Sequence, residues 1–267
     1  MNKAQNPLRQ LGQFGQSVWL DYIRRQLLSS PAFRSLIDDD GLKGMTSNPT
    51  IFDKAIAGSS DYDGQLAGLV SAGRSVDDIY EALTMDDIRT AADAMLPIYD
   101  RTGGRDGFVS YEVSPLLAND TESTLKAARR YWQLIGRPNL MVKVPSTPAG
   151  IPAIEQLVSE GLNINITLMF SRKHYDLVSE AFIRGLERRL AAGQPLSGVA
   201  SVASVFVSRV DTLVDKRLEE RLKAHPANGL ATLQGAAAVA GTKLIYGRFK
   251  EVFGGDRFRR LAAQRFR

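Results

Sequence analysis

Six short apolar runs separated by helix-length segments constrain this chain more than any other feature. They span Ser17 to Ile23, Leu42 to Ser47, Phe108 to Val113, Leu140 to Val144, Ile164 to Phe170 and Val199 to Val207. Strands that alternate with helices, instead of clustering, pair in parallel through crossover helices, so the class is α/β. No Gly-x-Gly-x-x-Gly follows any run and no Gly-x4-Gly-Lys-Ser/Thr occurs, which removes the two common nucleotide-binding signatures. A (β/α)8 barrel of the TIM type remains, and its catalytic residues belong at the C-terminal ends of strands.

The intervening segments carry helix punctuation. Ser75 lies three residues before Asp78, and Thr84 three before Asp87, which predicts two capped helix starts between the second and third strands. A further helix follows Asp120-Thr-Glu and stops at Gly136, and another runs from Pro148 to Gly161 with a proline start and a glycine stop. Arg172 to Ala192, Arg209 to His225 and Leu230 to Phe253 are helical in pattern, and Gly254-Gly255 breaks the run before a basic tail. The expectation is one barrel domain over residues 1–267 with a helical excursion at about 52–106.

Composition excludes several chemistries. The chain has no cysteine, hence no disulfide, thiolate metal site or cysteine nucleophile, and only His174 and His225 offer imidazole, which argues against a metal centre or a Ser-His-Asp triad. The formal charge of +5 is concentrated at one end: Arg257, Arg259, Arg260, Arg265 and Arg267 against Asp256 make +4 over residues 256–267, leaving +1 for the rest. A near-neutral body without aromatic base platforms argues against nucleic acid as a partner. The start lacks an apolar core of signal-peptide length, and no run approaches the roughly 18 apolar residues of a membrane helix, so a cytoplasmic chain without a membrane partner is expected.

Lys143 stands out within Leu140-Met-Val-Lys-Val-Pro-Ser146. Alternation along a strand puts Met141, Lys143 and Pro145 on one face and Leu140, Val142 and Val144 on the other, so one face reads as core while the other holds an amine. A lysine at a strand end ordinarily snorkels into water. Held out of water instead, a lysine loses hydration of its ammonium form and more neutral amine is left to attack a carbonyl, the chemistry of a Schiff base. The other runs also end in polar groups: Asp21, Asn48 before Pro49, Glu112, the pair Asn165 and Thr167 on one face, then Ser204 and Arg209 at the end of the sixth. Each alone has an ordinary explanation as a cap, turn or rim residue. Together they match the place where a barrel keeps its active site.

Trp19-Leu-Asp21, Gly44-Met-Thr-Ser-Asn-Pro-Thr-Ile51, Tyr111-Glu112, Val142-Lys-Val-Pro-Ser-Thr147, Asn165-Ile-Thr167 and Ser204-Val-Phe-Val-Ser-Arg209 resemble, in order and context, the transaldolase family. The resemblance covers nearly the whole chain and is nearest to the longer-chain bacterial branch, some of whose members are fused to a glucose-6-phosphate isomerase that has no counterpart here. It implies transfer of a dihydroxyacetone unit from sedoheptulose 7-phosphate or fructose 6-phosphate to an aldose phosphate in the pentose phosphate pathway, with phosphorylated sugars as partners and no metal or organic cofactor. It further implies roles: Lys143 forms the imine, Asp21 is the acid and base at the breaking bond, and Glu112 and Thr167 hold a proton-relaying water. Asn48 and Asn165 would fix the dihydroxyacetone hydroxyls, and Ser204 and Arg209 would receive the phosphate. Phe206 matches the transferase side of the family, since its aldolase relatives usually have tyrosine there.

The family's barrel has eight strands and only six are counted, so the seventh and eighth are expected beyond residue 267, in a longer gene product or absent from a shortened homologue. Six strands would leave the first and sixth as open edges prone to self-association. Two other readings stay open: a direct Schiff-base aldolase acting on a sugar phosphate, and an inactive truncated barrel serving as a binding or assembly protein.

Overall fold

The computed structural model describes residues 6–224 and 229–264. They form two compact units. The first comprises the described residues up to Ser114 together with Ala127–Lys143. In chain order it holds α1 (Pro7–Gln10), β1 (Val18–Asp21), α2 (Arg25–Leu28), α3 (Pro31–Asp38), β2 (Leu42–Thr46) and α4 (Pro49–Ala57). There follow α5 (Asp63–Ser71), α6 (Val76–Arg101), β3 (Val109–Glu112), and most of α7 (Thr121–Ile135) and of β4 (Leu140–Pro145). Its four strands are parallel in chain order, with Asp21 beside Thr46, Thr46 beside Ser110, and Glu112 beside Lys143.

The second unit comprises Pro115–Lys126 and the described residues from Val144 onward. Beyond β4 it contains α8 (Gly150–Glu160), β5 (Ile164–Met169), α9 (Arg172–Ala191), β6 (Ser201–Val205), α10 (Ser208–Ala224), α11 (Ala237–Phe253) and α12 (Asp256–Gln264). β5 and β6 are parallel. Six parallel strands alternating with helices make an α/β chain that accounts for six of the eight units of a (β/α)8 barrel. The least covered strands are β1 and β6; β4 is buried throughout.

That burial corrects the expectation of a one-sided β4. Every residue from Leu140 to Pro145 is buried, because strands of parallel sheets are covered on both faces. Lys143 is 7% exposed, so its amine does not snorkel into water.

The excursion between β2 and β3 is helical and has its own apolar cluster, Ala55, Tyr62 and Leu83, ringed by Ile56, Leu66, Leu69 and Ile79. Ser75 caps α6 as expected, its Oγ accepting the Asp78 N–H. Thr84 does not begin a second helix. It lies inside α6, where its hydroxyl donates to Tyr80 O at 2.8 Å and stands 2.8 Å from the Tyr111 hydroxyl. The face carrying Leu83, Thr84, Met85, Asp87 and Ile88 is buried without interruption, so the capping pattern at Thr84 yields to tertiary packing. Arg25 ties this region to α2: its Nε donates to Asp87 Oδ1 at 2.8 Å, its guanidinium lies 4.4 Å from the Tyr62 ring centroid, and Tyr62 OH donates to Asp87 Oδ2 at 2.7 Å.

In the second unit α8 begins at Gly150, two residues after Pro148, because Thr147 Oγ1 accepts the Gly150 N–H at 2.9 Å and becomes the local cap. Gly161 ends it at φ +95°, which glycine adopts without strain. The segment Leu230 to Phe253 is divided: a 3-10 turn over Leu230–Leu233 is followed by Gly235 at φ +66°, and α11 starts at Ala237. His225, Arg265 and Arg267 lie outside the described residues. Within α12, Arg257 is paired with Glu180 and Glu187 on α9 at 2.7 Å, so part of the basic tail neutralises acidic groups of its own unit.

Candidate active site

In the first unit, Asp21, Thr46 and Glu112 are the last residues of β1, β2 and β3, which puts three polar side chains at matching strand ends. The neighbours follow from register. Thr46 lies beside Asp21, and its hydroxyl donates to Asp21 Oδ1 at 2.6 Å. Glu112 lies beside Lys143, and the carboxylate stands 3.4 Å from Lys143 Nζ. The same amine donates to the Ser47 carbonyl at 3.3 Å. Ser47 is itself anchored, since its buried hydroxyl donates to Ser110 O at 2.8 Å. A buried amine therefore has a carboxylate from the adjacent β3 and a carbonyl from the residue after β2 fixed beside it.

Asn48 follows β2 and is the N-cap of α4. Its Oδ1 accepts the Ile51 N–H at 3.0 Å, so the cap consumes the oxygen and orients the amide NH2 as a donor. Burial, then the Glu112 and Asp53 carboxylates, push the Tyr80 phenol up to about 12, which keeps it neutral around pH 7.

The second unit brings together Asn165, Thr167 and Ser204. Asn165 and Thr167 lie two apart on β5 and are fully buried. Ser204, on β6, donates to Asn165 Oδ1 at 2.7 Å. Asn165 thus has its carbonyl oxygen engaged, which orients its NH2 group as a donor. Arg209 is not at a strand end: β6 stops at Val205, and Arg209 is in the first turn of α10. The reason is local. Val207 carbonyl already accepts helical N–H groups from Val210 and Asp211. The Arg209 guanidinium lies 4.7 Å from the Phe206 ring centroid, and Phe206 stacks on Phe170 at 5.1 Å. An exposed guanidinium steadied by a ring can present its planar fork of N–H donors to two oxygens of an anion such as phosphate.

Thr46, Ser47 and Ser146 received no role from sequence reasoning. The signal for the first two was the run Thr46-Ser-Asn48 after the buried Met45, three polar residues where a strand meets a helix. Among the described residues no group of three His, Cys, Asp or Glu side chains is arranged to hold a metal ion. No helix among them is long and apolar enough to cross a membrane.

A buried lysine on β4 flanked by the β3 carboxylate, with a second carboxylate held by a hydroxyl at the end of β1, sets an amine and two acid-base groups at the ends of neighbouring strands. The sequence profile described as Transaldolase/Fructose-6-phosphate aldolase matches residues 18–261, which spans every strand of both units. The chain belongs to the transaldolase/fructose-6-phosphate aldolase family. Among its relatives a "Transaldolase" of Thermobifida fusca is 48% identical over 257 residues, covering 96% of this chain and 69% of the relative. A "Transaldolase" of Trichodesmium erythraeum is 43% identical over 263 residues, covering 97% of this chain and 69% of the relative. One from Thiobacillus denitrificans is 45% identical over 264 residues, with 97% and 71% covered. As a transaldolase-family member the chain is an enzyme of the kind that transfers aldehyde or ketone units.

Proposed function

We propose that this chain is a transaldolase that moves a dihydroxyacetone unit from sedoheptulose 7-phosphate to glyceraldehyde 3-phosphate through an imine on Lys143, releasing erythrose 4-phosphate and fructose 6-phosphate. The observation that carries the reading is the buried Lys143 amine held between the Glu112 carboxylate and the Ser47 carbonyl. The amine attacks the ketose carbonyl carbon and water leaves, giving an iminium. Asp21 takes the proton from the hydroxyl on the fourth carbon, the bond between the third and fourth carbons breaks, and its electron pair passes to the iminium as an enamine. Erythrose 4-phosphate departs. The enamine carbon then attacks the acceptor aldehyde, Asp21 returns its proton to the new alkoxide, and water releases the product and the free lysine.

The family resemblance gives Glu112 and Thr167 the relay of protons through water when the imine forms and when it is hydrolysed. Asn48 and Asn165, neutral amides that both donate and accept, fix the dihydroxyacetone hydroxyls without competing for protons. Arg209 receives phosphate through a charge-assisted fork, and Ser204 joins it by turning its hydroxyl from Asn165 Oδ1 to a phosphate oxygen when substrate binds. Phe206, where aldolase relatives usually carry tyrosine, supports transfer over release of free dihydroxyacetone. The test is a product measurement with sedoheptulose 7-phosphate and glyceraldehyde 3-phosphate. Equal amounts of erythrose 4-phosphate and fructose 6-phosphate are expected; free dihydroxyacetone formed in step with erythrose 4-phosphate would make the chain an aldolase instead.

A further inference from the structure

The backbone of β5 is interrupted immediately after Thr167. Asn165 and Ile166 pair in register with Val202 and Ala203, but Met169 pairs with Val205, so Thr167 and Leu168 together stand opposite Ser204 alone. This is a β-bulge. Leu168 takes φ +59°, the only non-glycine residue with positive φ among the described residues, in a conformation that costs a side-chain-bearing residue and persists only where its surroundings enforce it. In an uninterrupted strand Met169 would share the face of Asn165 and Thr167; the extra residue breaks that alternation one position after Thr167.

Ser146 grips the bulge with both of its donors. Its N–H donates to Thr167 O at 2.9 Å and its hydroxyl to the next carbonyl, Leu168 O, at 3.0 Å. Consecutive carbonyls of a regular strand point to opposite sides, so one neighbouring residue does not ordinarily receive both. The bulge turns two carbonyls toward Ser146, and the serine hydroxyl supplies the donor that a regular ladder lacks at this place. On the far side, Phe206 N–H donates to Met169 O at 3.0 Å and closes the irregular stretch.

We infer that Ser146 is a positioning residue: by holding the Leu168 bulge it fixes the Thr167 side chain for its part in imine formation and hydrolysis. This rests on the relay role proposed above for Thr167. The experiment compares Ser146→Ala, Ser146→Thr, Thr167→Ala and the double variant Ser146→Ala/Thr167→Ala, measuring the rate at which fructose 6-phosphate becomes trappable by borohydride. Ser146→Ala should slow imine formation about tenfold with KM unchanged. Ser146→Thr, which keeps the hydroxyl donor, should recover the rate, and Ser146→Ala should add no loss on top of Thr167→Ala. If Ser146→Ala does not fold, Ser146→Cys, a weaker donor of similar size, carries the same comparison. An impaired Thr167→Ala beside a fully active Ser146→Ala, or losses that simply add, would overturn the positioning role alone. A fully active Thr167→Ala would instead remove the relay reading, and this inference with it.

Discussion

Glu112 and Lys143 are register partners on adjacent parallel strands, and that pairing explains how an amine comes to be held inside the molecule. Parallel neighbours bring same-level side chains together, so a carboxylate at the end of β3 reaches a lysine on β4 without a loop having to deliver it. Lys143→Arg keeps a cation but cannot form an imine, and transfer should fall to background while the fold survives. Asp21 and Thr46 are related in the same way, through β1 and β2. Asp21→Asn keeps the shape and the Thr46 contact but cannot take a proton, so bond cleavage should slow roughly a hundredfold or more while imine formation changes little. Single-turnover measurements of the two steps check this; equal slowing of both would remove Asp21 from the acid-base role. Much of this was legible, because Asp21, Glu112, Lys143, Asn165 and Thr167 each interrupt an apolar run. Their partners were not. Thr46 and Ser146 look like ordinary small polar residues until register and backbone direction are known, and a leucine gives no sign that it will adopt φ +59°.

The helices and strands show where local chemistry decides and where packing overrides it. All six strands lie within or one residue beyond the expected runs, because β-branched and apolar residues bounded by turn residues leave little alternative. Thr84 shows the opposite: its pattern matches that of Ser75, yet only Ser75 caps, since the buried face of α6 continues past Thr84 and even accommodates Pro97. The same helix holds Asp87, buried against Arg25 and Tyr62. Burial raises the Asp87 carboxyl above its ordinary 3.8 despite the bonds from Tyr62 and Arg25 that oppose the rise. The folded state therefore binds this proton more tightly than the unfolded chain, and the stability associated with Asp87 falls as pH rises from about 4 to the raised value and is flat above it. Asp87→Asn lacks that dependence. The unfolding free energy of the native chain minus that of Asp87→Asn should decrease across this window; an increase would mean that pairing with Arg25 outweighs burial. In the second unit, α8 and α9 approach closely at Gly185, where a Cβ would lie 2.7 Å from the Glu155 carbonyl oxygen and from Val158 Cβ. Gly185→Ala should force the helices apart and cost about 1–3 kcal/mol in urea unfolding. A stability equal to native would show that the contact relaxes freely.

For the molecule as a whole, the alternation of strands and helices was enough to give the α/β class, and the order and context of the strand-end motifs were enough to give the family. The division into two compact units was not legible, because it depends on which contacts form and not on any linker composition. Nor was the fate of the basic tail: Arg257 pairs with Glu180 and Glu187, and a residue-by-residue charge count cannot show such pairing. The chain spans 69% to 71% of the three relatives compared, and every residue given a role here lies within the matched region. The central claim is that Lys143 carries the substrate as an imine. It is tested most directly by incubating the chain with fructose 6-phosphate, reducing with borohydride, and locating the adduct by peptide mass spectrometry. The account predicts a single reduced three-carbon adduct on Lys143, absent from Lys143→Arg; an adduct on another lysine such as Lys173, or none from a folded chain, would contradict it.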